Sequence, residues 1–116
     1  MDFEVSFILR EGRMKMIWAV VRWDRVDGIV QSLKAAGVSG CTVSRCRGYG
    51  KEWHPYEPAI HGGHERLEIV VEDEQADTVI DKIIRQAKTS LVGDGLIGVL
   101  NLERIIEIKN HIPRPS

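Results

Sequence analysis

The chain has 116 residues, 43% of them hydrophobic, which suits one modest core and one domain rather than two. Its 16 basic and 17 acidic residues leave a formal net charge of −1, so the basic field that gathers nucleic acid is absent and no nucleic-acid partner is expected. No apolar run nears the roughly 20 residues of a membrane span, and the first residues lack a basic start followed by an apolar stretch, so a cytoplasmic address is expected.

Before Met14, Phe3, Val5, Phe7 and Leu9 alternate with Asp2, Glu4 and Ser6 as an edge strand would. Met14-Lys15-Met16 suits a start equally well, so residues 1–13 read as an N-terminal extension or an upstream-coded stretch, and the two readings stay open. Met14 to Val21 (MKMIWAVV) is rich in strand formers, and Asp24 then offers a helix N-cap. Val26, Ile29, Val30 and Leu33 recur at helical spacing until Ala36, where Gly37 supplies a left-handed stop. Cys41 to Tyr49 gives a second strand. If Cys41 and Cys46 both lie on it, their odd separation turns them to opposite faces, so free thiols are expected.

Lys51 to Glu65 (KEWHPYEPAIHGGHE) has no apolar period, two prolines and a Gly-Gly pair, the marks of a long loop. Leu67, Ile69 and Val71 alternate with Glu68, Val70 and Glu72 as a strand, with Asp73 available as the next helix cap. Ala76, Val79, Ile80, Ile83, Ile84 and Ala87 then share one helix face, the cleanest amphipathic pattern in the chain. Ser90 to Gly95 (SLVGDG) is a turn, Leu96 to Leu100 and the alternation at Ile106 and Ile108 supply closing strands, and residues 112–116 form a proline-bearing tail. The order β-α-β-loop-β-α-β is the α+β, ferredoxin-like βαββαβ arrangement (split βαβ), two helices covering one face of an antiparallel sheet. Its other face would still carry Met14, Met16, Ile17 or Trp18, and a homo-oligomer would cover it.

Glycines at positions 48, 50, 93 and 95 let backbone N–H groups approach phosphate oxygens, and Arg104 and Lys109 supply positive charge nearby. No G-x-x-x-x-G-K-[ST] string occurs, so this is not a P-loop, and Gly-Asp-Gly alone is as often a tight turn.

MKMIWAVVR, the helix ending AAGVSGCTV, RGYG before a long loop, LEIVVEDE and AKTSLVGDGLIGV, in this order, resemble the P-II signal-transducer family from Met14 to about His111. The resemblance implies a homotrimer with adenine nucleotides as effectors in clefts between subunits. It also implies a loop that docks on a membrane transporter or a metabolic enzyme, in nitrogen regulation. It places Val20, Thr42, Gly48, Tyr49, Gly50, Ile69, Val70, Gly93, Asp94, Gly95 and Lys109 around the nucleotide. This chain departs from the family pattern at Leu96, where a phosphate-contacting lysine is usual, and at Glu107, where a base is usual. Fewer cations favour ADP or AMP over ATP. The loop is shorter than the family's, and Lys51 and Glu52 stand where the glutamine that helps bind 2-oxoglutarate would be, so a different ligand is expected. Tyr56, in a Pro-Tyr-Glu-Pro context, is not expected to be nucleotidylated. The expected mechanism is ligand-dependent ordering of the 51–65 loop, which then binds or releases its target.

The loop also carries His54, His61 and His64 among Glu52, Glu57 and Glu65, an N/O donor set for a divalent metal. The favoured reading is a solvated polar loop, and a metal sensor or tolerance protein on the same fold is the alternative. Trp53 and Tyr56 are candidate partner-docking anchors, while Trp18 and Trp23 suit the sheet or the oligomer seam. A small hydrolase using Asp94 with His61 or His64 as base is the weakest reading. There is no nucleophile elbow, no HExxH helix and no carboxylate pair, so no enzyme and no required cofactor are expected.

Overall fold

A computed structural model describes residues 8–9, 13–48 and 63–109. In chain order these form β1 (Ile8–Leu9), β2 (Met14–Arg22), a 3-10 turn (Trp23–Arg25), α1 (Val26–Ala35), β3 (Thr42–Cys46), β4 (His64–Glu72), α2 (Asp73–Ala87), β5 (Gly95–Leu102) and β6 (Ile105–Ile106). The main sheet has the order β3-β4-β2-β5 with every neighbouring pair antiparallel, while β1 and β6 make a separate two-stranded ladder. The split βαβ expectation is therefore met.

Period-two alternation decides which side chains meet the helices. Ile17, Ala19 and Val21 of β2 and Leu67, Ile69 and Val71 of β4 point to one face, where Val26, Ile29 and Leu33 of α1 and Ala76, Val79, Ile83 and Ala87 of α2 close over them. Ile17, Ile29, Leu67, Ile69 and Ile83 are wholly buried, each contributing about 1.5–3 kcal/mol through removal of apolar surface from water. Among the described residues no helix is long and apolar enough to cross a membrane.

Local details depart from the sequence expectations for identifiable reasons. Asp24 does not cap α1: it sits inside the 3-10 turn, and neither that turn nor α1 has a side-chain cap bond. Asp73 is the first residue of α2 rather than its cap, with its N–H on the Arg13 carbonyl at 3.0 Å and its carboxylate 3.2 Å from Lys15 Nζ. Ile84 is half-exposed, whereas Ile83 and Ala87 of the same helix are buried. β3 is shorter than expected and excludes Cys41, yet both cysteines are free thiols. β4 starts at His64, so the end of the expected 51–65 loop is corrected: His64 and Glu65 belong to a strand whose pairing with β2 and β3 begins there.

The second sheet face carries Met14, Met16, Trp18 and Val20 from β2, Arg66, Glu68 and Val70 from β4, and Leu96 and Leu100 from β5, as the register dictates. Trp18 lies across Gly98 with the Arg66 guanidinium 5.2 Å from its ring centroid. Val70, Leu96 and Leu100 are exposed, so an apolar stripe faces outward in the single chain.

Candidate functional site

The 89–95 turn at the end of the sheet concentrates the polar chemistry of the described residues. The Asp94 carboxylate accepts hydrogen bonds from the Thr89 N–H at 2.7 Å, the Ser90 N–H at 2.9 Å, the Thr89 hydroxyl, and Arg22 Nε at 3.3 Å. Burial pushes this carboxyl up, and the Thr89, Arg22 and Ser90 donors outweigh it, holding the group below its ordinary value. Arg22 also donates from its terminal nitrogen to the Val92 carbonyl at 2.7 Å. The His64 ring, 5% exposed, lies with Nε2 2.8 Å from the Gly93 carbonyl; because the partner is a carbonyl, Nε2 carries the proton and donates. Arg22 and His64 are register partners on β2 and β4, so the two strand ends grip consecutive carbonyls of one turn.

The backbone of the turn is as specialised as its side chains. Gly95 has φ +115°, and a Cβ there would overlap the Val20 carbonyl of β2, so only glycine lets the chain leave the turn and enter β5 at this spacing. Ser90 also takes a left-handed φ of 66° without being glycine. Next to the turn, a cleft of about 300 Å³ opens between the end of α2 and the start of β5, lined by Val21, Ile84, Ala87, Lys88 and Asp94 to Ile97. Its lining is mainly apolar, with Lys88 and Asp94 as its charged groups.

The residues singled out in the sequence fall into distinct places. Gly93, Asp94 and Gly95 form the turn, Val20 ends below Gly95, and Gly48 follows β3 at the same end of the sheet. Thr42 lies on the opposite edge strand, paired with Glu68, three strand spacings or about 14 Å from β5 in the hydrogen-bonding direction. Val70 is exposed on the second sheet face, whereas Ile69 is wholly buried on the helix side, so its side chain is closed to a cleft ligand. Arg104 follows the Leu102 end of β5, away from the turn, so its expected nearness to Gly93 and Gly95 is corrected for the single chain; Lys109 follows β6, and both are exposed. Leu96 is half-exposed in the cleft lining.

Tyr49, Gly50, Trp53, His54, Tyr56, His61 and the 112–116 tail lie outside the described residues. His64 is corrected from a loop position to a buried strand position, with Nε2 committed to Gly93 rather than turned toward a metal. Among the described residues no group of three or more His, Cys, Asp or Glu could hold a metal ion. Burial raises both thiols: the backbone bond at Glu68 partly offsets it for Cys41, and Arg66 partly offsets it for Cys46, which leaves both short of the reactive thiolate form.

Sequence reasoning missed Arg22 and His64 as holders of the turn. A signal existed for Arg22: it continues the outward stripe Met14, Met16, Trp18, Val20 of an otherwise apolar strand, and a guanidinium at that place needs acceptors.

Comparison with known proteins gives this arrangement a family. The sequence model of "Nitrogen regulatory protein P-II" matches residues 14–111. The nitrogen regulatory protein P-II of Pasteurella multocida is 36% identical over 105 residues, covering 83% of this chain and 92% of the relative. The nitrogen regulatory protein P-II 1 of Escherichia coli K12 is 34% identical with the same coverage. Arabidopsis thaliana PII, solved bound to citrate, superposes with a TM-score of 0.70 at 31% identity, covering 85% of this chain and 83% of that one. With the fold and most of the length in agreement, the chain belongs to the P-II family of nitrogen regulatory signalling proteins.

Proposed function

We propose that this P-II protein works as a homotrimer that binds an adenine nucleotide in clefts between its copies and regulates a transporter or metabolic enzyme through residues 51–65. The observation that carries this reading is the position of the cleft: it lies between the end of α2 and the start of the edge strand β5, with the Gly93–Gly95 turn at one end. At about 300 Å³ the cleft sits at the low end of ligand sites, half of a site that a second copy would complete. Thr42 lies on β3, the other edge of the same sheet, too far from β5 to share a small ligand within one chain. A head-to-tail ring in which the β5 edge of one copy meets the β3 edge of the next brings Thr42 to the turn, and the exposed Val70, Leu96 and Leu100 face inward.

Charge sets the ligand. The cleft offers Lys88 and turn N–H groups, Leu96 adds no cation, and Arg104, Glu107 and Lys109 all come after the opposite end of β5. ADP or AMP therefore fits better than ATP. An anionic effector also agrees with the citrate named for the Arabidopsis relative. A cytoplasmic setting goes with such a ligand and with the free thiols. Regulatory action, without catalysis, follows from a site whose carboxylate and imidazole are both spent on holding the turn.

Calorimetric titration with ADP, AMP and ATP tests the ligand. Expected is micromolar binding of ADP or AMP near one per chain, weakened at least about tenfold for ATP by the missing cations. No heat from any of the three refutes the nucleotide reading.

A further inference from the structure

The groups that hold the turn also hold a second structure. His64 opens β4 directly after Gly63, whose carbonyl accepts the Trp23 N–H at 3.1 Å, and Trp23 directly follows Arg22. The point where the chain re-enters the sheet is thus fixed to the end of β2 by the backbone on either side of the Arg22–His64 register pair. On the other side of the same pair, His64 Nε2 takes the Gly93 carbonyl at 2.8 Å and Arg22 takes the Val92 carbonyl at 2.7 Å and Asp94 at 3.3 Å. Cys46 Sγ approaches the His64 carbonyl at 3.6 Å, tying in the end of β3.

We propose that Arg22 and His64 form a clamp that makes the Gly63 re-entry point and the 89–95 turn open and close as one unit, with His64 as the positioning residue of that clamp. Three features carry this. The imidazole is 5% exposed, so a broken bond to Gly93 is not replaced by water and the opening of the turn requires the ring to move. His64 is enclosed by its surroundings, so swinging the ring to another rotamer meets packed atoms and a shift of the Gly93 carbonyl is passed to the start of β4. The turn is over-determined from inside by the Asp94 bonds to Thr89 and Ser90, so it moves as a block rather than residue by residue. Such a unit gives a ligand at the turn a direct mechanical route to the base of the segment that precedes Gly63. The clamp is a property of the unliganded chain and stands whether or not the ligand is a nucleotide.

Amide hydrogen exchange of the full chain without ligand, resolved by NMR, tests the clamp. In His64→Phe, which keeps the ring volume and loses the donor, the Thr89 and Ser90 amides are expected to exchange about tenfold faster, and His64→Gln, which restores a donor, to recover much of that. The deciding variant is Thr89→Val, which removes a hydroxyl bonded to Asp94 and to the Leu91 N–H, both inside the turn. If the clamp is real, the Trp23 amide on the far side exchanges at least about threefold faster, while the Ile17 and Ala19 amides of central β2 change by less than about twofold. Faster Ser90 and Leu91 exchange in Thr89→Val with Trp23 unchanged overturns the clamp. So does equal acceleration of Trp23, Ile17 and Ala19, which would mean global loss of stability.

Discussion

Replacing Asp94 by Asn tests how the turn is held. The carboxylate accepts from Thr89 N–H and Ser90 N–H on one oxygen and from the Thr89 hydroxyl and Arg22 on the other, and its side chain is 19% exposed. Asparagine keeps the shape but has one acceptor oxygen. If its amide nitrogen faces the two backbone N–H groups, donor meets donor; if it faces Arg22, the guanidinium loses its acceptor. Hydrogen bonds to a charged group are worth about 1.5–3 kcal/mol net, and these share one carboxylate and do not add, so a total loss of about 2 kcal/mol is expected at pH 7. The folded carboxyl sits below its ordinary 3.8, so its contribution is complete above that value and is lost as the pH falls through the lower, folded value. Urea unfolding of both proteins at one fixed protein concentration, from pH 7 to pH 3, reads the gap directly. The gap should narrow below pH 4, since the other carboxylates titrate alike in both proteins. A gap that stays constant to pH 3, or one below about 0.5 kcal/mol at pH 7, refutes the carboxylate as the organiser of the turn.

Three other substitutions have expected outcomes. Gly98→Ala puts a Cβ into the Trp18 indole, and overpacking of this kind costs about 1–3 kcal/mol. In a Trp23→Phe/Trp53→Phe background the Trp18 emission should shift as the ring leaves Arg66, and an unchanged spectrum would mean the ring does not lie on Gly98. Gly95→Ala meets the Val20 carbonyl with a φ of +115°, where no side-chain rotation relieves the overlap, so a loss of at least about 3 kcal/mol is expected in urea unfolding. Ser90→Gly removes the left-handed strain at φ 66° and should stabilise by about 0.5–1 kcal/mol, and a lower urea midpoint would contradict that strain.

Much of the fold was legible because burial follows period. The alternation Ile17, Ala19, Val21 and Leu67, Ile69, Val71 and the helical recurrence Val79, Ile83, Ala87 each name a face that has to be covered, and each is covered. The caps were not legible. Asp24 and Asp73 have the right chemistry at the right places, but a 3-10 turn and the nearby Lys15 compete for them, and neither competitor is visible in local sequence. The start of β4 was misplaced because His64 and Glu65 read as polar loop residues, while strand pairing and the bond to Gly93 bury the His64 ring. At the site, the glycines announced the turn, but the partners of Asp94 come from 72 positions away at Arg22 as well as from next door at Thr89. Only the sheet register brings the distant partner near. Thr42 and the turn could be named as one site by resemblance alone, since the topology of one chain sets them on opposite edges of the sheet.

Native mass spectrometry of the protein with ADP tests the central claim most directly, because it counts chains and nucleotides in the same particle. Expected is a three-chain assembly carrying up to three ADP, with no ADP retained on single chains. Single chains that hold ADP on their own, or a trimer that holds none at millimolar nucleotide, would contradict a site built between copies.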